Sequence, residues 1–366
     1  MEPQSLSDKI HERRIDQSDT ILVSLKRMDQ IDRKLLLVFS GEQFTGLISI
    51  GDIQRAIIAN KPMNTQVGNI IRSNIRVART IDDPEEIRRL MLQHRTECMP
   101  VLDENDTLAE VIFWEDLFPH EARRMEYRLG YPVVIMAGGK GTRLKPFTNI
   151  LPKPLMPLGE KTILEHIMDR FTAIHCDHFY LSVNYKADMI RYYLDTLNNS
   201  TYHIEYFQEE KPLGTAGSLF LLKGILKTTF FVSNCDILIE EDYGSIAEYN
   251  KEQGNELTLV AALRHLKIPY GTVETAEGGQ LTSLIEKPEV TFKINSGLYI
   301  LEPHLLNEIP ENTFFNITDL IEKIKARKGK VGVFPVSENS WRDVGEWLSY
   351  LKYNKIDVDD HSPYRK

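Results

Sequence analysis

A short apolar run followed by glycines and basic residues is the part of this chain best suited to phosphate chemistry. The run covers 131–137 (YPVVIMA), and such continuous apolarity is typical of a strand buried on both faces. The residues that follow it are Gly138, Gly139, Gly141, Arg143 and Lys153. Glycine lets backbone N–H groups approach a phosphate closely, and the two cations supply fixed positive charge. The segment 136–157 therefore predicts a binding site for a nucleoside triphosphate.

This segment matches neither of two common phosphate-binding patterns, GxxxxGK[ST] and GxGxxG. Its glycines alone would equally fit a tight turn between a strand and a helix. The lysine is more informative, because Pro152 and Pro154 flank it and stiffen the backbone. A cation held on a stiff segment needs little ordering when it meets charge developing in a transition state. A solvated lysine in a proline-rich loop is the alternative.

The joint pattern GGxGTRL, followed by PKP, resembles the signature of the sugar-1-phosphate nucleotidylyltransferases. The resemblance extends over about residues 131–355. It implies an α/β fold with a mostly parallel, Rossmann-like sheet and helices on both faces. It also implies that Arg143 and Lys153 act as catalytic residues on the triphosphate and the transition state. Nucleotide-binding roles fall, by the same resemblance, on Ala137, Gly138, Gly139, Gly141 and Thr142.

Two aspartates are candidates for binding a metal. Asp236 ends the apolar run 228–236 (TTFFVSNCD), and Asp343 lies in SWRDVGEW. Carboxylate oxygens suit Mg²⁺, although an aspartate in a turn or before a helix would also explain either position. The family carries metal-binding aspartates in NxD and WxDxG, and both patterns occur here. The resemblance therefore implies that these two residues bind Mg²⁺, the cofactor we expect.

The sequence PLGTAG at 212–217 resembles the family segment that lies against the nucleotide base. It is most similar to the guanylyltransferases, so we expect GTP as the donor, with UTP, CTP or dTTP as alternatives. The residues assigned to the nucleotide here are Leu213, Gly214 and Thr215. Residues 215–226 predict a helix whose first backbone amides lie near the nucleotide.

Two later segments, EKP at 286–288 and NSG at 295–297, resemble the sugar-binding side of the family. By that match Lys287 contacts the sugar phosphate as a third catalytic residue. The residues expected to line the sugar are Glu286, Asn295, Gly297 and Asn184. Without the resemblance, EKP fits a solvated turn and Asn184 fits a buried structural amide.

These assignments predict a nucleotidyl transfer, in which a sugar 1-phosphate attacks the α-phosphorus of GTP and pyrophosphate leaves. No histidine lies in the motifs, and none is needed as a base, because a phosphate monoester has a second pKa of about 6. Mannose 1-phosphate and glucosamine 1-phosphate are the expected sugars. The whole chain resembles glucosamine-1-phosphate guanylyltransferases of pathways to nine-carbon acidic sugars such as legionaminic acid. The alternative from another class is a non-catalytic regulatory partner that binds a nucleotide sugar.

The first third of the chain contains a weak internal repeat, with predicted opening strands at 20–24 and 75–78. Each copy ends in two apolar strands and an aspartate that opens a helix. Over about residues 5–125 this arrangement resembles a pair of cystathionine β-synthase (CBS) motifs, which form a smaller α/β domain. The residues that the resemblance assigns to a ligand are Ser49, Asp52 and Asp116. It also implies a regulatory nucleotide and homo-oligomer formation through the pair.

Both aspartates of the repeat also fit helix caps, in which a carboxylate accepts from free backbone N–H groups. For Asp52 the cap and the ligand remain equally open. In the second copy Phe113 occupies the position where the first has Ser49. Since phenylalanine offers no hydroxyl, a cap is favoured for Asp116.

Strands and helices alternate after residue 131, with strands over 179–185, 203–209, 228–236 and 256–263 and a helix over 187–197. Ligands of such sheets bind beyond the carboxyl ends of the strands, where the motifs fall. The charged stretch 121–130 predicts a helical linker. We therefore expect two domains, 1–126 and 127–366.

Composition excludes several other classes of protein. The net charge of −9 argues against binding nucleic acid, and no apolar run is long enough to cross a bilayer. The N-terminal sixteen residues lack the apolar segment of a secretory signal. The three cysteines form no CxxC pair, which fits a reducing compartment. The sequence thus predicts a cytoplasmic location.

Overall fold

The computed structural model describes residues 6–72, 75–94, 96–118 and 127–354 of the 366-residue chain. The chain divides into two compact units, Met1–Met125 and Glu126–Lys366. Most of the predicted helical linker lies outside the described residues, and its last residues, 127–130, form no helix. No helix within the described ranges is long and apolar enough to cross a membrane.

The first unit repeats one order of strands and helices, with one three-stranded sheet in each copy. Its elements are α1 (Leu6–Arg13), β1 (Arg14–Asp16), α2 (Ile21–Ile31), β2 (Leu35–Ser40), β3 (Gln43–Ser49), α3 (Ile50–Ile58), β4 (Ala78–Arg79), α4 (Pro84–His94), β5 (Cys98–Leu102), β6 (Leu108–Phe113) and α5 (Trp114–Leu117). The sheets have the orders β1-β2-β3 and β4-β5-β6. In each, the first strand runs parallel and the last antiparallel to the middle one.

The predicted strand at 20–24 is wrong, because these residues begin helix α2. The Thr20 side chain accepts a hydrogen bond from the amide of Val23 at 3.3 Å, which caps the helix. Ile21, Leu25 and Met28 are buried at helical spacing, so the apolar run is one face of a helix. The opening strand of the first copy is β1, and the second prediction, 75–78, overlaps β4 only at Ala78.

A shared hydrophobic cluster joins the two copies. It contains Leu37 and Phe39 of β2 together with Cys98 of β5 and Phe113 of β6. The guanidinium of Arg13 lies 4.0 Å from the centre of the Phe113 ring. Neither copy would bury this surface alone, so the pair folds as one unit.

The second unit has a large sheet surrounded by helices. Its elements are β7 (Val133–Met136), β8 (Pro157–Leu158), β9 (Lys161–Thr162), α6 (Ile163–Thr172), β10 (His178–Val183), α7 (Ala187–Leu197), β11 (His203–Gln208), α8 (Gly214–Gly217), β12 (Phe230–Asn234), β13 (Ile237–Ile239), α9 (Tyr243–Gln253), β14 (Leu257–Lys267), β15 (Thr272–Thr275), β16 (Leu281–Ile285), β17 (Glu289–Leu301), α10 (Ile317–Ala326), β18 (Val331–Val336), β19 (Trp341–Asp343) and α11 (Trp347–Tyr353). Short 3₁₀ turns occupy most of the loop after β7.

The large sheet has the strand order β11-β10-β7-β12-β17-β14-β18. Strand β17 runs antiparallel to both of its neighbours, and the other six strands share one direction. The predicted α/β class with a mostly parallel sheet is therefore confirmed. The carboxyl ends of β7, β10, β11 and β12 meet at one edge, the edge at which ligands are expected.

Alternation along β12 shows that helices cover both faces of the sheet. Phe231 contacts Phe171 of α6 and Tyr243 of α9, with ring centres 5.2 and 6.3 Å away. Its neighbour Val232 belongs to a cluster that includes Leu320 of α10. Successive side chains of a strand point to opposite faces, so α6 and α9 lie on one face and α10 on the other.

The predicted helix over 215–226 is only partly correct. The α-helical part ends at Gly217, and residues 218–222 form a 3₁₀ turn. The amides of Ala216 and Gly217 both donate to the carbonyl of Phe315, at 3.0 and 2.8 Å. These two amides are thus satisfied within the protein, and the expectation that the start of this helix lies near the nucleotide stays a prediction.

A two-stranded ribbon extends beyond the large sheet, and nothing in the sequence analysis predicted it. It consists of the last part of β14 paired with the first part of β17, with the hairpin β15–β16 between them, over residues 263–293. Its apolar side chains are largely exposed: Tyr270 is 74% exposed, Leu284 62% and Val273 59%.

Candidate functional site

The turn that precedes α7 fixes the loop after β7 through hydrogen bonds. The Lys186 ammonium donates to the carbonyls of Asn149 and Ile150, each at 2.6 Å. Within the loop, the Thr148 hydroxyl donates to the carbonyl of Gly141 at 2.9 Å. The glycine-rich segment is therefore fixed at the carboxyl edge of the sheet, where it ends in the 3₁₀ turn that carries Lys153.

The loop brings its two cations to the two predicted metal-binding aspartates. The ammonium of Lys153 contacts the Asp236 carboxylate, and each of these residues is only 8% exposed. The Arg143 guanidinium lies 3.4 Å from Asp236 and 3.3 Å from Asp343. A third carboxylate, that of Glu346, pairs with Arg143 at 2.8 Å and was not predicted. Five residues from three separate segments of the sequence thus form one charged cluster.

Strand pairing explains how the two aspartates come together. Asp343 ends β19, which pairs antiparallel with β13 so that Asp343 lies opposite Ile237. The amide of Val344 donates to the carbonyl of Asp236 at 3.0 Å. The amide of Gly345 donates to the Asp343 carboxylate at 2.8 Å and orients it.

Two glycines of the motifs are required by close contacts. A Cβ at Gly345 would lie 2.3 Å from the Lys153 Nζ and 2.5 Å from the Asp236 carboxylate. Gly297 has a φ of +87°, and a Cβ there would lie 2.7 Å from the Asn234 amide nitrogen. The glycine of WxDxG therefore leaves room for Lys153 and Asp236, and the glycine of NSG leaves room for Asn234.

The carboxylates of the cluster have the chemistry of a Mg²⁺ site. Burial and the nearby charge of Asp236 raise the pKa of the Asp343 carboxyl above its usual range. A bound cation would relieve this repulsion, and Mg²⁺ commonly takes one or two carboxylates together with substrate phosphates. No group of three or more His, Cys, Asp or Glu side chains among the described residues could hold a metal. Asp236 and Asp343 are the two carboxylates in this cluster that the predicted Mg²⁺ would use, and its binding stays a prediction.

The predicted sugar-side residues lie on and beside the ribbon. Glu286 and Lys287 are exposed, and Lys287 has a φ of +45°, which is uncommon for a residue with a side chain. The Asn295 side-chain carbonyl accepts from the Tyr299 hydroxyl at 2.9 Å and from the Gly297 amide at 3.1 Å. Its amide nitrogen is therefore the group left for a ligand.

Asn184 lies nearer the nucleotide loop than the ribbon. Its side-chain nitrogen donates to the carbonyl of Glu209 at 3.0 Å, and its Cβ would be 3.2 Å from a Cβ placed on Gly138. Ala137, Gly139 and Thr142 lie close to Gly138 in the sequence. Ala137 is buried, whereas Gly139 and Thr142 are exposed.

Glu209 is a further residue at this edge that the sequence analysis missed. It directly follows β11 and is 8% exposed. Its carboxylate accepts from the amide of Leu213, the second residue of the predicted base-binding segment, at 2.9 Å. An acidic residue just after a strand and just before PLGTAG was the signal available in the sequence.

In the first unit, the predicted ligand residues of the first copy border a cavity of about 510 Å³. Ser49 and Asp52 form a reciprocal helix cap, and Arg55 and Arg72 pair with the Asp52 carboxylate. Burial opposes ionisation of Asp52, but the hydrogen bonds from Ser49 and the charge of Arg72 outweigh it and lower the pKa. The cavity also carries the exposed Arg76.

The second copy differs. The Asp116 carboxylate pairs with the Lys9 ammonium at 2.5 Å, and helix α5 has no side-chain cap, so the expected cap at Asp116 is wrong. Asp116 is not among the residues that line the cavity. Phe113, which replaces the hydroxyl residue, is fully buried in the shared cluster instead.

Residues 132–360 match the sequence profile of the nucleotidyl transferase family. The chain belongs to this family. Residues 67–120 match the CBS domain profile, which covers the second copy of the repeat. The resemblances predicted from GGxGTRL and from the repeat are thereby confirmed, whereas the link to legionaminic acid pathways stays a prediction.

Mannose-1-phosphate guanylyltransferases are among the proteins to which this chain is similar. The catalytic subunit beta of mannose-1-phosphate guanylyltransferase from Xenopus tropicalis is 33% identical over 225 residues, which are 60% of this chain and 62% of that protein. Mannose-1-phosphate guanylyltransferase 1 from Arabidopsis thaliana is 31% identical over 62% of this chain and 64% of its own. This chain therefore spans less than two thirds of either relative. The crystal structure of HddC from Yersinia pseudotuberculosis is 28% identical, covers 62% of this chain and 98% of its own, and has a TM-score of 0.49.

Proposed function

We propose that the protein transfers a guanylyl group from GTP to a sugar 1-phosphate and releases pyrophosphate. Mannose 1-phosphate is the first candidate acceptor, since relatives carry that substrate in their names, and glucosamine 1-phosphate is the second. The observation that carries the proposal is the cluster of Arg143, Lys153, Asp236 and Asp343 at the carboxyl edge of the sheet. Two cations beside two carboxylates match the needs of a triphosphate that arrives with Mg²⁺.

In this reaction a sugar-phosphate oxygen forms a bond to the α-phosphorus while the bond to the β-phosphate oxygen breaks. The attacking phosphate is largely dianionic at neutral pH, since its second pKa is about 6, so the protein need not remove a proton. The protein's task is to position two polyanions and to neutralise charge. Bound at Asp236 and Asp343, Mg²⁺ would supply positive charge at the phosphates.

The ion pairs of the cluster support a role for the chain's own residues in the proposed reaction. Arg143 and Lys153 are held by carboxylates, so the site pairs its opposite charges without a substrate. We propose that a triphosphate takes over these two cations. Lys287 reaches the sugar phosphate from the ribbon, and Glu286 and Asn295 bind sugar hydroxyls.

The test is pyrophosphate release by the full chain with Mg²⁺. GTP, UTP, CTP, dTTP and ATP are each combined with the 1-phosphates of mannose, glucosamine, N-acetylglucosamine and glucose. We expect turnover with GTP and one or two of the sugars, and loss of turnover when a chelator removes the metal. Turnover only with another triphosphate would refute the guanylyl assignment. Nucleotide-sugar binding without any turnover would favour the non-catalytic regulatory partner.

We also propose that the first unit binds a nucleotide at the cavity beside Ser49 and Asp52 and that it mediates homo-oligomer formation. The cationic side chains of Arg72 and Arg76 at the cavity suit phosphate groups. Calorimetric titration of AMP, ATP, GMP and GTP into the full chain and into an Arg76→Ala variant tests the site. Binding that is the same in both proteins would contradict it.

A further inference from the structure

Glu346 is a carboxylate beside the charged cluster to which the proposed reaction gives no role. Its distance to the Arg143 guanidinium is 2.8 Å, against 3.3 Å for Asp343 and 3.4 Å for Asp236. Of these three carboxylates, the one without a proposed role is therefore the one that holds the arginine most closely. An exposed ion pair is often no more than a surface contact, so its setting decides whether this one has a function.

The backbone that carries Glu346 is anchored to the loop after β7. Helix α11 begins directly after this residue, and the rings of Trp347 and Phe147 are stacked with their centres 5.1 Å apart. The Tyr350 hydroxyl donates to the carbonyl of Pro157 at 2.8 Å. These contacts do not depend on charge, so they hold the start of α11 against the loop whether or not the charged cluster is occupied. The carboxylate is thus presented at short range to the arginine of that loop.

The two aspartates are poor lasting partners for Arg143 in the proposed reaction, because both are proposed to bind Mg²⁺. Their carboxylate oxygens would then be shared between the metal and the guanidinium, two positive charges that repel each other. Glu346 is not one of the proposed metal-binding residues. Its contact with the arginine therefore remains available when the aspartates are engaged.

The exposure of the pair suits a contact that orients the arginine without neutralising it. The side chains of Arg143 and Glu346 are 53% and 58% exposed. Ion pairs in contact with water are weak, and a guanidinium carries five N–H donors in a fixed plane. One edge of the group can thus stay on the carboxylate while its other donors meet phosphate oxygens.

We infer that Glu346 is a positioning residue, which keeps the Arg143 guanidinium directed at the triphosphate while Asp236 and Asp343 bind the metal. Without this carboxylate, a long and half-exposed side chain would sample more rotamers, and its placement for the transition state would be lost. The inference rests on the proposed guanylyl transfer and adds a residue that acts through Arg143. No bond to Glu346 forms or breaks in the reaction.

The first test is a double-mutant cycle in the kinetics of pyrophosphate release, with Glu346→Gln, Arg143→Ala and the double variant. We expect Glu346→Gln to lower kcat about tenfold and to change KM for GTP by about threefold or less. In the Arg143→Ala background it should lower kcat by no more than about twofold, because the group that it positions is gone. Equal effects on kcat in the two backgrounds would overturn the inference. A higher kcat/KM in Glu346→Gln would also overturn it, since the carboxylate would then compete with the substrate for the arginine.

Glu322→Gln is the matched control. It removes an exposed carboxylate of the same unit that also forms an ion pair at 2.8 Å, with Lys325. We expect its kcat to equal that of the unaltered chain. If kcat fell as far as in Glu346→Gln, loss of surface charge alone would explain both results and the positioning role would be overturned.

A binding measurement separates failure of this inference from failure of the proposed function. Affinities for GTP are determined by calorimetry for the same four chains, with Mg²⁺ and without a sugar phosphate. We expect Glu346→Gln to weaken binding about threefold more in the wild-type background than in the Arg143→Ala background. Direct repulsion between Glu346 and the nucleotide is common to both backgrounds and cancels in this comparison. If that coupling is found but no sugar is turned over, the positioning role stands and the transfer reaction does not. Equal effects in both backgrounds, or no binding of GTP to the unaltered chain, would overturn the positioning role.

Discussion

The nucleotide side and the sugar side of the candidate site are built differently. On the nucleotide side, Lys153 and Asp236 are both buried and already in contact. On the sugar side, Glu286 and Lys287 are exposed and lie on a ribbon whose apolar side chains also face solvent. The first group of residues is buried and paired within the protein, and the second is exposed.

The difference in burial between the two sides follows from their positions relative to the large sheet. The nucleotide residues follow strands at the centre of the large sheet, and packing on both faces fixes those strand ends. The ribbon continues only two strands beyond the sheet, and its apolar side chains are largely exposed. We expect the nucleotide side to determine the rate of the chemistry and the ribbon to determine mainly the affinity for the sugar.

The largest effect should come from Lys153→Met, which keeps the aliphatic stem and removes the charge. We expect kcat to fall at least about a hundredfold, as for other groups that stabilise transition-state charge. Pyrophosphate release at saturating substrate is the measurement. Lys227→Met, at an exposed lysine of the same unit, is the control and should leave kcat unchanged. An unchanged rate in the Lys153 variant would remove this residue from the catalytic cluster.

A smaller and different effect is expected from Lys287→Ala. Loss of one exposed charged contact should raise KM for the sugar 1-phosphate about tenfold, with a smaller change in kcat and in KM for GTP. Steady-state kinetics with each substrate varied in turn would show this. Lys293→Ala, at an exposed lysine of β17, is the matched control. If kcat fell as far as in the Lys153 variant, the two sides of the site would not differ as described.

The smallest effect is expected for the apolar side chains of the ribbon. Val273→Thr and Leu284→Thr should each change the free energy of unfolding by no more than about 0.5 kcal/mol, because both side chains are exposed. Leu219→Ala, in the core beside α8, should cost about 2–5 kcal/mol. Denaturant unfolding of the full chain compares them. A large loss for either ribbon variant would show that the ribbon is packed in solution.

Local pattern predicted the regular parts of the fold well. The helix at 187–197 was predicted with its observed bounds, because its apolar spacing is strong and the strands on either side limit it. The run at 20–24 was taken for a strand because five residues do not distinguish a strand from one face of a helix. The predicted helix at 215–226 is α-helical only to Gly217, and residues 218–222 continue as a 3₁₀ turn, a change that apolar spacing does not reveal.

The candidate site depended on resemblance more than on pattern. The position of Asp236 at the end of a strand is enough to predict it as a site residue. No local sequence pattern, however, predicts that it lies beside Asp343. That pairing arises from the short β13–β19 ladder, which is tertiary. The sequence analysis missed Glu209 and Glu346 for the same reason. The role of an acidic residue in a loop depends on the groups that pack against it in the folded chain.

The close packing around Gly345 predicts which residues related sequences can carry at this position. Because any side chain at this position would displace the lysine or the aspartate of the buried pair, the residue is a marker of charge geometry rather than of backbone shape. Relatives that keep both charged residues but carry alanine or a larger residue here would have the same motifs without the close contact between the lysine and the aspartate. We expect the ion pair between the lysine and the aspartate to be displaced in such chains.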